Sequence, residues 1–313
     1  MSNCLFCYQP LTENEKDFHA SCSMKIFERS KPPELPYSEN DLEALAIETL
    51  QNQISVPGVQ HKLSLHISGN KKDGKERRFT IMGLWGGYIL KPPTISYPQL
   101  PQVEDISMHL ARLAGIKIVP HSLIRLKSGN LAYITRRIDR TKKGKLAMED
   151  MCQLTERLTE EKYHGSYEQI GKTIQKYSAT PGLDMVNFFE MVVFSFLTGN
   201  ADMHLKNFSL LEQPGLGMTL SPAYDLVNTA LINPSDEEEM ALTLNGRKKK
   251  LKKQDFTEAM TTLKLNEKQQ ENIFIKMAKA LPKWIEMIDN SFMSDDFKVQ
   301  YKIILKERMN RLQ

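Results

Sequence analysis

This chain has few cysteines, almost no excess of charge and no long apolar run. Three of its four cysteines fall within the first 22 residues and Cys152 stands alone, which excludes the disulfide framework of a small secreted domain. The 42 basic residues against 38 acidic ones leave a net charge of +4, too little to hold nucleic acid by bulk electrostatics. No helix-turn-helix pattern is present, so direct contact with DNA is not expected without a partner. No stretch approaches the ~20 apolar residues of a membrane span, and residues 1–14 lack a basic region followed by an apolar core. A soluble, cytoplasmic protein without membrane association is the expectation. Internal repeats, low-complexity segments, Walker loops and Gly-x-Gly-x-x-Gly are also missing.

What is present is most concentrated in Thr198-Gly199-Asn200-Ala201-Asp202-Met203-His204-Leu205-Lys206-Asn207-Phe208, followed by Tyr224-Asp225-Leu226. An Asp, then four residues, then an Asn is the spacing by which a kinase catalytic loop puts a base and a metal ligand on one turn of chain. Asp202 and Asn207 are that pair, and Asp225 stands where a second metal ligand is needed. A carboxylate is a weak base for an alcohol, so Asp202 suits orienting an acceptor hydroxyl and taking its proton late. Such chemistry also needs a lysine and a turn of backbone N–H groups for the nucleotide phosphates.

Residues 54–67 begin as a turn at Pro57-Gly58 and become an alternating strand with Leu63, Leu65 and Ile67 on one face. Pro57, Gly58, Val59, Gln60, His61 and Lys62 form a candidate phosphate-binding turn, because Gly58 permits close backbone approach and Lys62 can reach the same anion. A plain hairpin has the same pattern. Strands are expected at 79–82 and 88–92, the second carrying Lys91, which reads either as a surface edge charge or as a phosphate-binding lysine. A helix opening at Glu104 and capped at Gly115 follows. A strand lysine then precedes a helix glutamate, the order of the ion pair that orients the phosphate-binding lysine of kinases.

Ahead of these, Ser38 and Asp41 form a helix cap before Leu42, Leu45, Ala46 and Leu50. Residues 119–127 and 131–138 read as an antiparallel pair. Beyond them the periodicity is mainly helical, over 167–177, 184–199, 256–263, 267–291 and 295–312, with a short hairpin from 208–211 and 218–221. The expected organisation is α+β, a two-lobed protein-kinase-like fold with a β-rich lobe over 1–138 and a mainly helical lobe over 139–313. At the N-terminus, Cys4-x2-Cys7 and His19-x2-Cys22 offer four soft ligands at a spacing that tetrahedral Zn²⁺ can use. The other reading is reduced thiols in a poorly ordered arm.

The stretches Ser55-Val56-Pro57-Gly58-Val59-Gln60-His61-Lys62, Ile89-Leu90-Lys91-Pro92 and Arg136-Arg137-Ile138-Asp139-Arg140 resemble the HipA family of Ser/Thr kinases, the toxins of bacterial toxin–antitoxin modules. So do Gly199-Asn200-x-Asp202-x-His204-x-Lys206-Asn207-Phe208 and Ser221-Pro222-Ala223-Tyr224-Asp225-Leu226. Ordinary protein kinases have His-Arg where this chain has Asn200-Ala201, and Asp-Phe-Gly where it has Tyr224-Asp225-Leu226; HipA proteins depart in the same way. There is little room before Ser38 for the additional N-terminal subdomain of full-length HipA, and in this the chain is similar to the shorter HipT toxins.

The resemblance implies ATP and Mg²⁺ as cofactors, with Asn207 and Asp225 as the metal ligands. It implies HipB-like and HipS-like antitoxin partners, contact with DNA only through the HipB-like one, and an aminoacyl-tRNA synthetase as protein substrate. Within the chain it implies adenine contacts along Arg136, Arg137 and Ile138, and nucleotide contacts from His204, Lys206, Asn207 and Tyr224. His204 reads equally as a histidine that braces the loop. Ser55 is implied as an autophosphorylation site. The motifs alone leave a second function open, a kinase-fold phosphotransferase acting on a small molecule.

Overall fold

Leu63 and Leu65 are buried while the residues after each are more exposed, and this period-2 pattern orients the first strand of a sheet. The computed structural model describes residues 2–50, 62–68, 77–81, 86–141 and 143–313. Ser55 and the turn from Pro57 to His61 lie outside the described residues. The chain forms two units: Met1–Asp105 with Val119–Ile138 and Asn290–Met293, and Ile106–Ile118 with Asp139–Asp289 and Ser294–Gln313.

The first unit contains α1 (Ala20–Phe27), α2 (Glu39–Leu50), β1 (Leu63–Ser68), β2 (Arg78–Ile81) and β3 (Tyr88–Lys91), then the start of α3 (Leu100–Leu113), β4 (His121–Arg125) and β5 (Leu131–Arg136). Its five strands run in the order β2-β1-β3-β5-β4, with every pair antiparallel. Ser38 and Asp41 cap α2 as expected, the Asp41 amide donating to Ser38 Oγ at 3.3 Å and the Ser38 amide to Asp41 Oδ2 at 2.8 Å. Because β3 is an interior strand, Lys91 does not sit on a sheet edge, and it is buried. The edge-charge reading of Lys91 is therefore overturned.

Helix α3 starts at Leu100, four residues before Glu104. Pro101 hid this start in the sequence; in a first helical turn its missing N–H costs nothing. The N-terminal segment is not a loose arm. Cys4, Leu5, Ile26 and Phe27 are buried, and the Phe27 ring meets those of Phe18, Phe79 and Tyr88 with centroids 5.3, 5.9 and 6.2 Å away. Apolar burial on that scale, about 1.5–3 kcal/mol for each large side chain, is what holds the segment to the sheet.

The second unit is mainly helical. Three short strands, β6 (Arg140–Thr141), β7 (Gly144–Lys145) and β8 (Met148–Asp150), precede α4 (Met151–Leu154), α5 (Tyr167–Tyr177) and α6 (Pro181–Leu197). The expected hairpin forms as β9 (Ser209–Gln213) and β10 (Gly217–Leu220), and β8 joins it to give the order β10-β9-β8. Then come α7 (Thr229–Ile232), α8 (Lys253–Thr262), α9 (Glu267–Asp289) and α10 (Asp295–Arg311). Helix α6 is the core element: Phe188, Phe189, Val192, Val193, Phe196 and Leu197 are fully buried. Phe188 packs on Phe208 with ring centroids 5.3 Å apart, which anchors the end of the candidate catalytic loop on the helix that leads into it. Among the described residues, no helix is long and apolar enough to cross a membrane.

Candidate active site

The loop after α6 owes its shape to one glycine and two side-chain clamps. Helix α6 stops at Thr198, and Gly199 turns the chain with φ +76°. A Cβ at that position would stand 2.5 Å from Asn228 Oδ1, so glycine is required both for the turn and for the close approach. Thr229 fastens the loop from the other side, its Oγ1 accepting from the Ala201 amide at 2.8 Å and donating to the Gly199 carbonyl at 3.1 Å. Asn200 Oδ1 accepts the Asp202 amide at 3.1 Å.

This shape brings Asp202 and Asn207 together. The Asn207 side-chain Nδ2 donates to the Asp202 carbonyl oxygen at 2.9 Å, and Asn207 is buried. With the nitrogen committed, Oδ1 is the atom of that amide suited to a cation. The half-buried Asp202 side chain accepts from the Tyr163 hydroxyl at 2.6 Å. The Tyr163 ring also meets His204 edge-on, centroids 5.0 Å apart.

His204 is buried, and among the described residues its Nδ1 has no hydrogen-bond partner. Burial holds its pKa below the ordinary histidine value, against the opposing pull of the Asp202 and Asp225 carboxylates. Asp225 holds a left-handed backbone, φ +56°, a conformation that costs most side chains but that Asp tolerates better. The preceding segment is pinned by the Ala223 amide donating to the Lys117 carbonyl at 2.8 Å and by Tyr224, whose hydroxyl donates to the Lys206 carbonyl at 3.0 Å. Lys206 is occupied elsewhere: its Nζ donates to Asp150 Oδ2 at 2.8 Å, while Asp150 Oδ1 caps α4 through the Gln153 amide at 3.0 Å.

In the first unit, Lys91 Nζ donates to Glu104 Oε1 at 2.5 Å, both side chains being buried, and the ammonium lies 5.4 Å from the centre of the Tyr133 ring. The expected lysine–glutamate pair is therefore formed. The Arg136 and Arg137 amides are already used, donating to the carbonyls of Pro120 at 2.9 Å and Gly87 at 2.8 Å. An adenine contact on this stretch would fall to the Arg136 and Arg137 carbonyls and to Ile138. Lys62, the described end of the phosphate turn, is exposed.

Cys4, Cys7, His19 and Cys22 also converge, with one ligand atom from each lying within 4.8 Å of the others. Sequence reasoning missed the contacts of Tyr163 with Asp202, of Asp150 with Lys206 and of Thr229 with Gly199. Only the Asp150 contact left a local trace, an Asp-x2-Gln capping pattern ahead of α4.

The donor set suits a phosphoryl-transfer centre that uses Mg²⁺. Asn207 Oδ1 and the Asp225 carboxylate are hard oxygen ligands of the kind Mg²⁺ takes. The family model described as HipA-like C-terminal domain matches residues 54–285. A protein of Sinorhizobium fredii named "Putative kinase Y4dM" is 33% identical over 246 residues, covering 73% of this chain and 58% of its own length. A Shewanella oneidensis protein named "Serine/threonine-protein kinase toxin HipA" is 25% identical over 213 residues, covering 62% of this chain and 47% of its own. The chain thus spans only about half of the length of these curated relatives. Among solved structures, the Shewanella oneidensis MR-1 toxin–antitoxin complex of HipA, HipB and operator DNA contains a chain of the same fold. The TM-score is 0.69 at 23% identity, with 82% of this chain and 65% of that one covered.

Proposed function

The chain belongs to the family of HipA-like C-terminal domains, and on that premise we propose that it is an ATP-dependent serine/threonine protein kinase acting as the toxin of a toxin–antitoxin module. The observation that carries this reading is the 2.9 Å bond from the Asn207 side chain to the Asp202 main chain. It sets the candidate base and a candidate metal ligand on one turn, in the unit that also carries Asp225. The similarity to a protein named as a serine/threonine kinase toxin supports the toxin assignment.

ATP supplies the transferable phosphoryl group, and Mg²⁺ supplies positive charge against its oxygens. In the second unit, Asn207 Oδ1 and Asp225 would hold the metal ion. Asp202 accepts a hydrogen bond from the substrate Ser or Thr hydroxyl, aligns its oxygen and receives its proton late, as befits a weak base. In the first unit, Lys91 is the cation for nucleotide phosphate, and Glu104 holds its Nζ in place. His204 packs edge-on against Tyr163, the Tyr224 hydroxyl holds the Lys206 carbonyl, and the Lys206 ammonium is tied to Asp150.

The finer parts of the proposal rest on the resemblance to HipT toxins. They are an aminoacyl-tRNA synthetase as substrate, HipS-like and HipB-like proteins as antitoxins with DNA contacted through the latter, a cytoplasmic location, and autophosphorylation at Ser55. A phosphate there would add about −1.5 to −2 charge beside the proposed phosphate turn and oppose ATP. The test is phosphoproteomics of bacterial cells after induction of the wild-type chain, with Asp202→Ala as the blank. A small set of Ser or Thr sites in a tRNA synthetase, together with phospho-Ser55, is expected. Label from γ-labelled ATP appearing only in small metabolites, or equal protein labelling by Asp202→Ala, overturns the reading.

A further inference from the structure

The N-terminal cysteine–histidine cluster takes no part in the proposed phosphoryl transfer. We propose that Cys4, Cys7, His19 and Cys22 form a structural Zn²⁺ site that braces the sheet of the first unit.

Geometry carries the inference. Cys7 Sγ lies 3.4 Å and Cys22 Sγ 3.7 Å from His19 Nδ1, and one ligand atom from each of the four residues falls within 4.8 Å of the rest. A tetrahedron built from Zn–S bonds of about 2.3 Å and a Zn–N bond of about 2.0 Å has edges of roughly 3.5–3.8 Å. The two short edges already have that length, and the whole cluster needs only a small contraction.

The histidine is aimed for the purpose. Its Nε2 lies 3.0 Å from the Pro10 carbonyl oxygen, a bond that requires the proton on Nε2 and leaves the Nδ1 lone pair facing the sulfurs. A backbone carbonyl that fixes the tautomer in this way is the usual outer partner of a zinc-bound imidazole. Glu15 Oε2, at 4.0 Å from the same Nε2, lies on that outer side as well.

Two separate scaffolds present the ligands. Cys4 and Cys7 sit on a tight turn closed by the Cys4 amide on the Gln9 carbonyl and the Tyr8 amide on the Cys4 carbonyl, both at 2.9 Å, with Asn3 and Pro10 bridged antiparallel at its base. Tyr8 takes φ +63° to complete it. His19 is the N-cap of α1 and Cys22 lies in its first turn, a spacing of three that puts both on one helix face. All three cysteines are free thiols, and an odd number of them cannot be consumed by pairing. Three thiolates and one imidazole leave no open position, so the site is structural.

Its effect reaches the Lys91 pair. The Leu5 carbonyl accepts from Ser122 Oγ of β4 at 3.1 Å, and the Ile26 carbonyl of α1 from the Tyr88 hydroxyl at the start of β3 at 3.2 Å. The Tyr8 hydroxyl donates to Asp105, the neighbour of Glu104, at 2.6 Å. Metal ligation would lock the turn and the helix from which these bonds come.

The full chain, purified without added chelator, should carry a single zinc by elemental analysis. Cobalt(II) exchanged into it should give the visible bands of tetrahedral thiolate ligation. Cys4→Ser and Cys22→Ser should each lose the metal, whereas Cys152→Ala keeps it. Should the Cys→Ser chains fail to fold, the wild-type protein decides. Stripping it with a chelator should lower its Tm and expose three thiols to a thiol reagent, and Zn²⁺ but not Mg²⁺ should reverse both. Far less than one zinc per chain after refolding with Zn²⁺ overturns the proposal, as does an octahedral cobalt spectrum, or zinc retained by a folded Cys22→Ser chain.

Discussion

The Tyr163 hydroxyl donates to Asp202 Oδ1 across 2.6 Å, joining residues 39 positions apart in the chain. Partial burial, and then the Asp202 carboxylate, push the tyrosine pKa well above its ordinary value, so at neutral pH the group is a donor. It holds one carboxylate oxygen and, in the proposed reaction, leaves the other for an acceptor hydroxyl. Tyr163→Phe should therefore cost alignment of the proposed base. A hydrogen bond to a charged group contributes about 1.5 kcal/mol, or roughly tenfold in rate. The expected result is a kcat about tenfold lower with the KM for ATP unchanged, measured by transfer of labelled phosphate. An unchanged kcat would show that the tyrosine is bystander packing.

Lys91 and Glu104 form an ion pair at 2.5 Å with both side chains buried. Removing one partner strands a charge in a low-dielectric site, a loss of about 3–5 kcal/mol in comparable pairs. Glu104→Gln should destabilise the protein by an amount of that order, read from the midpoint of urea unfolding, and should also weaken ATP-dependent thermal stabilisation. Glu28→Gln is the control. Its salt bridge to Arg136 is exposed, and loss of such a pair costs about 0–1 kcal/mol.

Gly199→Ala tests the turn that begins the proposed catalytic loop. The substitution forces a left-handed residue to carry a Cβ and drives that atom to 2.5 Å from Asn228 Oδ1. Strain at such a position is on the order of 1–3 kcal/mol. A lower Tm with activity reduced more than ATP binding is the expected pattern. Gly129→Ala has a comparable φ of +98° but open space around it, and should cost less.

His204 gives the site a pH dependence of known sign. Burial depresses its folded pKa below the ordinary histidine value. Between the folded pKa and about 6.5 the unfolded chain binds more protons than the folded one, so stability falls as pH drops through that window. Above it the histidine is neutral in both states and contributes no slope. His204→Asn should flatten the dependence of Tm on pH below about 6.5, where the wild-type chain loses stability on acidification.

Local signals are legible in the sequence, and contacts that need the whole fold are not. The Leu63/Leu65 alternation, the apolar run from Met185 to Leu197, the Ser38–Asp41 cap and the 208–221 hairpin all depend on neighbours a few residues away. The start of α3 at Leu100 is hidden in the sequence, since Pro101 suits a first helical turn as well as a break. Strands β6 and β7, of two residues each, are too short to show a period. Lys91 was ambiguous for a different reason: edge and interior strands can have the same composition, and only strand order separates them.

By itself the sequence determined which chemistry was available. Asp202, Asn207 and Asp225 supply oxygens at spacings that a single loop and a following segment can bring together, and Cys4, Cys7, His19 and Cys22 supply soft ligands in two local pairs. Tertiary structure alone decided which atoms those groups face. It put Tyr163 on Asp202, Asp150 on Lys206, Glu104 on a buried Lys91, and the Nδ1 of His19 toward the sulfurs. The reason is physical: a helix or turn sets the direction of a side chain relative to its neighbours in sequence. Burial and partner choice depend on which distant segment packs against it.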